Sequence, residues 1–211
     1  MEKKQIIKQM YKSIVSKDYR HPVFRGVHFY EDRCCATDTH VLVIYNETIL
    51  QLADKTIDEN GNEVKGRWPN VDAVFPDEKT EYPVSLNLDV MRKAMNWWVK
   101  KPTSTKNDLM VLDHKAINID MLRRVLNLID LAGELDSTTL FKTDNVKAMV
   151  IESDSFRVLI MPTMFDEKDV DSAMSIEQTR QTVSFENLIN DYAFNSWRTE
   201  KKESEDWLSK F

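Results

Sequence analysis

An α+β fold assembled from two similar helix-plus-strand units is predicted by three observations. A helical pattern followed by three strand candidates occurs at residues 3–45 and returns at residues 120–161. Between these stretches Pro69, Pro76 and Pro83 punctuate an extended connector, because each proline restricts itself and the residue before it. The apolar residues switch repeatedly between helical spacing and short strand-like runs, with no short tandem repeat.

The first element is a helix over Lys3 to Ser16. Ile6, Ile7, Met10, Tyr11, Ile14 and Val15 make one apolar stripe, while Lys4, Lys8 and Lys12 line another. His21-Pro22 ends it. Val23 to Tyr30, Cys34 to Asp38 and Val41 to Tyr45 read as strands, with Glu31-Asp32-Arg33 as a turn. Asn60-Gly61 predicts a second hairpin, since that pair readily adopts the positive φ angles of a two-residue turn. After the connector, Val84 to Leu88 reads as a strand and Asp89 as the N-cap of a helix running to Lys101, closed by Pro102.

Leu109 to Ile119 is read as extended, followed by a helix capped by Asp120. Its apolar face is Met121, Leu122, Val125, Leu126 and Ile129, with Arg123, Arg124 and Asn127 outside. Thr138 to Thr143, Val146 to Glu152 and Phe156 to Met161 are further strand candidates. From Asp166 the composition turns acidic and polar, and the tail is expected to be helical in part from near Ser184 and loosely attached. The expected organisation is one domain over 1–165, with half-units at about 1–50 and 108–165, a linker and inserted strand-helix segment at 51–107, and a C-terminal extension at 166–211.

Composition narrows the function classes. With 211 residues, 42% hydrophobic and 30% charged, the chain has the make-up of an ordinary soluble globular protein. No apolar run approaches the roughly 20 residues that cross a bilayer, and a cytoplasmic location is expected. The net charge of −6 argues against indiscriminate coating of nucleic acid, although clustered cations still make local phosphate-binding surface. Four glycines and no Gly-rich phosphate loop argue against nucleotide hydrolysis. Cys34 and Cys35 are adjacent, so they are expected as two reduced thiols, one facing the core and one facing out. Asp38-His40, Asp113-His114 and Asp166-Glu167 have no ligand spacing, and no nucleophile stands beside a base, so neither metal, cofactor nor catalytic residue is expected.

Three separated stretches carry a resemblance. Ala36-Thr37-Asp38-Thr39-His40-Val41-Leu42, Trp68-Pro69-Asn70-Val71-Asp72-Ala73-Val74-Phe75-Pro76 and Val158-Leu159-Ile160-Met161-Pro162-Thr163-Met164 occur in the order of three segments of the bacterial DNA polymerase III sliding clamp (beta subunit) family, which they resemble. Phe24 to Phe29 and Ile117 to Leu126 resemble two further elements of it. The resemblance implies a DNA clamp-like fold, each domain made of two units of one helix and three or four strands, with helices facing the bore of a ring.

It further implies a pocket for short peptides of clamp-binding proteins, formed by Thr37, His40, Leu42, Pro69, Val74, Leu159, Met161 and Pro162. Contacts to duplex DNA, made without reading bases, would come from Lys4, Lys8, Lys12, Arg92, Lys93, Arg123 and Arg124. The same residue types also serve as core and as solvated helix faces. The implied function is a non-enzymatic processivity factor in DNA replication that tethers a polymerase or another replication protein, with several copies needed to close a ring. The alternative is a monomeric clamp-like regulatory protein that binds replication proteins without encircling DNA. Departures from the family pattern are the shorter chain, Thr39 in place of a glycine, Val41 in place of an arginine, Asp72-Ala73 in place of paired arginines, and more than forty residues after the last motif. Gln181 to Phe185 faintly resembles a clamp-binding peptide, which would dock in the protein's own pocket or a neighbour's.

Overall fold

The computed structural model describes residues 3–81, 86–112, 114–143, 147–164 and 181–208, with side chains through Ser196. In chain order the first elements are α1 (Lys3–Ser13), β1 (Gly26–Phe29), β2 (Cys34–Thr37), β3 (Val41–Tyr45), β4 (Lys55–Asp58), β5 (Thr80–Glu81) and α2 (Leu88–Trp98). Then come β6 (Leu109–Leu112), β7 (Lys115–Asn118), α3 (Ile119–Ala132), β8 (Thr139–Lys142), β9 (Met149–Glu152), β10 (Phe156–Ile160), β11 (Thr182–Ser184) and α4 (Phe185–Leu208). They fall into two compact units, Met1–Leu88 with Met121–Pro162 and Asp89–Asp120 with Thr163–Phe211.

The first unit is built on one eight-stranded sheet of order β4-β1-β2-β3-β10-β9-β8-β5. Its middle is the antiparallel pair β3–β10, with Val41 opposite Ile160 and Tyr45 opposite Phe156. On either side lies one helix-plus-strands set, so the internal echo in the sequence is an echo in the sheet. Both faces of the central strands are buried, which is why β3 reads as the unbroken apolar run Val41-Leu42-Val43-Ile44-Tyr45 and shows no alternation.

Strand periodicity assigns the two faces. Val27, Phe29, Cys34, Ala36, Val43, Met149, Ile151 and Val158 share one face and are fully buried. The apolar stripes of α1 (Ile6, Ile7, Met10) and α3 (Leu122, Val125, Leu126, Ile129) are buried likewise. Tyr11 of α1 donates its hydroxyl to the Ile57 carbonyl of β4 at 2.9 Å, which anchors the helix on the sheet. Gly26 admits β4 closely, since a Cβ there would meet the Ile57 carbonyl oxygen at 2.6 Å.

The opposite face is covered by the extended connector. Trp68, Val71 and Phe75 join Cys35, Leu42, Ile44, Val150 and Leu159 in one core cluster. Side chains of this size contribute about 1.5–3 kcal/mol each when fully buried. The cover explains a difference from the sequence expectation: Cys34 and Cys35 point to opposite faces, yet both are buried and both are free thiols.

The second unit holds a three-stranded sheet of order β11-β6-β7. Asp108 organises it: 1% exposed, its carboxylate accepts from Trp98 Nε1 (2.8 Å), the Thr105 hydroxyl (2.6 Å) and the backbone N–H groups of Thr105 and Gln181 (both 3.0 Å). The tail is therefore not loosely attached where it is described. β11 runs parallel to β6 in the register Thr182–Leu109 to Ser184–Val111, and α4 starts at Phe185 with Leu188 fully buried. The strand pairing also takes up the backbone of the Gln181-to-Phe185 segment that resembles a clamp-binding peptide.

Several bounds differ from those read in the sequence. α1 stops at Ser13, and residues 22–25 form a 3-10 turn begun by Pro22, which shortens the expected Val23-to-Tyr30 strand to β1. The turn at residues 59–62 after β4 has a single positive φ, 85° at Gly61, and one bridge closes it, Ile57 to Glu63, so it is longer than a two-residue hairpin turn. α2 begins at Leu88, which places Asp89 inside its first turn. The expected Val84-to-Leu88 strand does not form where it is described: Leu86 and Asn87 have no regular structure and Leu88 opens α2, while Val84 and Ser85 lie outside the described residues, as do Asp113, the 165/166 boundary and the acidic stretch after it. Of the expected linker and insertion at 51–107, residues 51–88 belong to the first unit and 89–107 to the second, as do residues 108–120 of the expected last half-unit.

Candidate functional site

The β2–β3 turn carries the first wall of the site. Thr37 Oγ1 donates to the Val41 carbonyl (2.7 Å) and accepts from the Thr39 N–H (3.0 Å), so both hydroxyl roles are spent within the turn. Asp38 Oδ1 accepts from the backbone of His40 (3.0 Å) and Val41 (2.8 Å). Thr39, between them, sits at φ 78°, a left-handed conformation that a β-branched residue rarely adopts. The position where the resemblance has a glycine is thus one whose backbone favours glycine.

The second wall is the connector, where the Asn70 side chain accepts from the Asp72 N–H (3.3 Å) and a 3-10 turn at Asp72–Val74 lifts Val74 into solvent, 54% exposed. The third is the end of β10, extended by a bond from Met161 N–H to the His40 carbonyl (2.8 Å). Between the three walls is a cavity of about 270 Å³. It is lined by Thr37, His40, Leu42, Pro69, Val74, Leu159 and Met161, together with Phe24, Thr39, Val41, Asn70 and Val71.

Seven of the eight residues named from the sequence therefore converge, from three distant segments. Pro162 does not line the cavity. Phe24, Thr39, Val41, Asn70 and Val71 were missed, although all five stand inside the stretches that carried the resemblance. Among the described residues no Lys, Arg, Asp or Glu contributes to the lining. With Thr37 bonded inward and Leu42 and Leu159 forming the floor, the cavity suits apolar side chains of a short segment, and Met161, 42% exposed, gives it an adaptable rim.

The cations behave differently from one another. Lys4, Lys8 and Lys12 are exposed along one stripe of α1, a helix with no acidic residue between Lys3 and Ser13. Arg123 and Arg124 are half-buried on α3. Arg124 lies 3.5 Å from Asp38 Oδ2 and donates a short hydrogen bond to the Ser13 carbonyl at the end of α1. Arg92 and Lys93 belong to the second unit, where both pair with Asp89, at 2.8 and 2.6 Å. The hydrogen bonds from Lys93 and Arg92 hold the Asp89 carboxyl below its ordinary range. Arg92, Lys93 and Arg124 are thus engaged with acidic partners, whereas α1 offers an uninterrupted cationic stripe. Among the described residues no cluster of His, Cys, Asp or Glu is arranged to hold a metal, and no helix is long and apolar enough to cross a membrane.

Paired helix-plus-strand sets meeting at a central antiparallel seam define the sliding-clamp fold. The structure is similar to the C. crescentus beta sliding clamp (TM-score 0.57, 12% identity, 78% of this chain and 64% of that one). It is equally similar to the DNA polymerase III beta chain of Streptococcus pneumoniae (TM-score 0.57, 15% identity, 76% and 63%). The Helicobacter pylori beta clamp bound to DNA ligase peptide is a further neighbour (TM-score 0.54, 11% identity, 75% and 62%). The chain spans less than two thirds of the length of these clamps, and at such identities the likeness is one of fold. No protein-family model and no curated protein matches the chain.

Proposed function

We propose that this protein is a non-enzymatic, sliding-clamp-like replication factor that captures a short apolar segment of a polymerase or other replication protein in the cavity of its first unit, and associates with duplex DNA through α1. The convergence of three distant sequence segments on one uncharged cavity, within a clamp fold, carries this reading. Capture by apolar anchors needs no catalytic group. The lysine stripe supplies phosphate contacts that carry no base information and so permit movement along the duplex. Several copies, closing a ring, would convert this weak association into a topological one.

The test has two arms. The DNA ligase peptide seen with the Helicobacter pylori clamp serves as the probe for the cavity. Wild-type protein should bind it, and Met161→Arg, which places charge on an exposed rim residue, should not. Retention on circular DNA, lost on linearisation and in the Lys4→Glu, Lys8→Glu, Lys12→Glu variant, tests the second arm, and light scattering reports the number of copies. Absence of binding in both arms would sink the proposal.

The pairing of Arg92, Lys93 and Arg124 with carboxylates favours a second reading. With Lys4, Lys8 and Lys12 of α1 as the exposed cations among these candidates, a monomeric clamp-like protein that binds replication proteins without encircling DNA would bind the peptide, remain monomeric and show no preference for circles.

A further inference from the structure

We propose that Arg124 is a positioning residue for the peptide cavity, acting through Asp38, and that its guanidinium couples the cavity to helix α1. This rests on the reading of the cavity as a peptide receptor. The two oxygens of Asp38 have separate tasks. Oδ1 accepts the backbone N–H groups of His40 and Val41, and Oδ2 faces Arg124 Nη2 at 3.5 Å. The other terminal nitrogen of Arg124 donates to the Ser13 carbonyl in the last turn of α1. One side chain of α3 therefore ties the end of α1 to the turn that supplies Thr37, Thr39, His40 and Val41 to the cavity wall.

Three features make this tie consequential. The side chains of Asp38 and Arg124 are only 18% and 22% exposed, so solvent screens their attraction less than that of a surface pair. Thr39 holds a left-handed backbone, which persists only where the surroundings over-determine it, and Asp38 Oδ1, bonded to the His40 and Val41 N–H groups, supplies that constraint together with Thr37 Oγ1, which takes the Thr39 N–H. A cation at the carbonyl end of α1 also complements the negative pole of that helix, so Arg124 reports the position of α1. Whatever moves α1, such as engagement of its lysines by phosphates, reaches the cavity wall through one hydrogen bond and one ion pair. By linkage, filling the cavity must act back on α1 to the same degree.

The experiment uses the full chain and the variants Arg124→Ala, Asp38→Asn and their combination, with Ile129→Val as a control that trims one buried methyl group from α3 without touching the tie. Amide exchange at His40 and Val41 is read by NMR, and affinity for the DNA ligase peptide is measured in parallel. Each single variant should speed exchange at these two amides by about fivefold, the lower end of ordinary coupling between sites, and weaken the peptide by a similar factor. The combination should be no worse than either alone, because both remove the same link. Ile129→Val should leave both readouts unchanged. Unaltered exchange in Arg124→Ala, additive losses in the combination, or an equal response to Ile129→Val overturns the inference. If wild-type protein binds no peptide, the receptor reading fails, while the exchange measurement still decides whether Arg124 positions the turn.

Discussion

The indole of Trp68 lies flat on the imidazole of His28, with ring centroids 5.1 Å apart and planes 6° from parallel. Phe24 meets the same indole edge-on at 5.6 Å. The stack fixes the connector across the outer face of the sheet, and thereby places Pro69, Val71 and Val74 along the cavity. The cavity wall and the cover over Cys35 are one structure.

Removing the indole should undo both. Trp68→Ala is expected to cost about 3–5 kcal/mol, the usual range for deleting a buried aromatic side chain. Burial pushes the Cys35 thiol up to about 12, so native protein should react slowly with a thiol reagent at neutral pH. The variant should label at Cys35 far faster than wild type under conditions where both remain folded. Equal labelling rates would show that the connector does not seal this face.

Thr39 carries a conformational cost that its own side chain creates. Thr39→Gly should raise stability by about 1 kcal/mol, since left-handed backbone costs a residue with a Cβ about 1–2 kcal/mol and glycine nothing. Thr39→Ala should give no such gain, because alanine retains the Cβ. Urea denaturation of the three proteins distinguishes these outcomes, and a stabilising Thr39→Ala would contradict the assignment of strain to the backbone.

Glu134 ties the end of α3 to the β9–β10 turn, accepting from the Ser153 hydroxyl (2.7 Å) and the Ser155 N–H (2.9 Å). Burial pushes its carboxyl up, but the hydrogen bonds from Ser155 and Ser153 outweigh burial and leave it below the ordinary glutamate range. A depressed folded value means that Glu134 stabilises fully above the unfolded value and loses that contribution as pH falls through the folded one. Unfolding free energy should therefore decline as pH falls through and below the ordinary glutamate range, and Glu134→Gln should flatten part of that decline. An unchanged acid limb in the variant would argue against the ionised hydrogen bonds.

Legibility in the sequence followed the range of the forces involved. β3 was read with its true ends because a strand buried on both faces is a continuous apolar run between polar turns. The lysine stripe and the apolar stripe of α1 were equally readable from spacing alone. The end of α1 was not, since Ile14 and Val15 both turn back to the Met10 carbonyl while Arg124, far along the chain, takes that of Ser13. The pairing of β11 with β6 likewise depends on Asp108 receiving Gln181, a meeting that no local pattern announces. In the site, motif segments located the cavity, but its shape needed Phe24 and Val71, whose roles follow from tertiary packing.

The pairing of Val41 with Ile160 joins residues well over a hundred positions apart. Loop-closure entropy opposes such an encounter, so hairpins within each half are expected to form early and the joining of the halves to limit the speed of folding. Val158→Ala at this junction should slow refolding in proportion to its loss of stability, whereas Ile57→Ala at the sheet's far edge should mainly hasten unfolding. A chevron showing the reverse would place the nucleus at the periphery. Until the halves meet, β3 and β10 each present an unpaired apolar edge, and the nascent chain is at its most prone to associate with copies of itself.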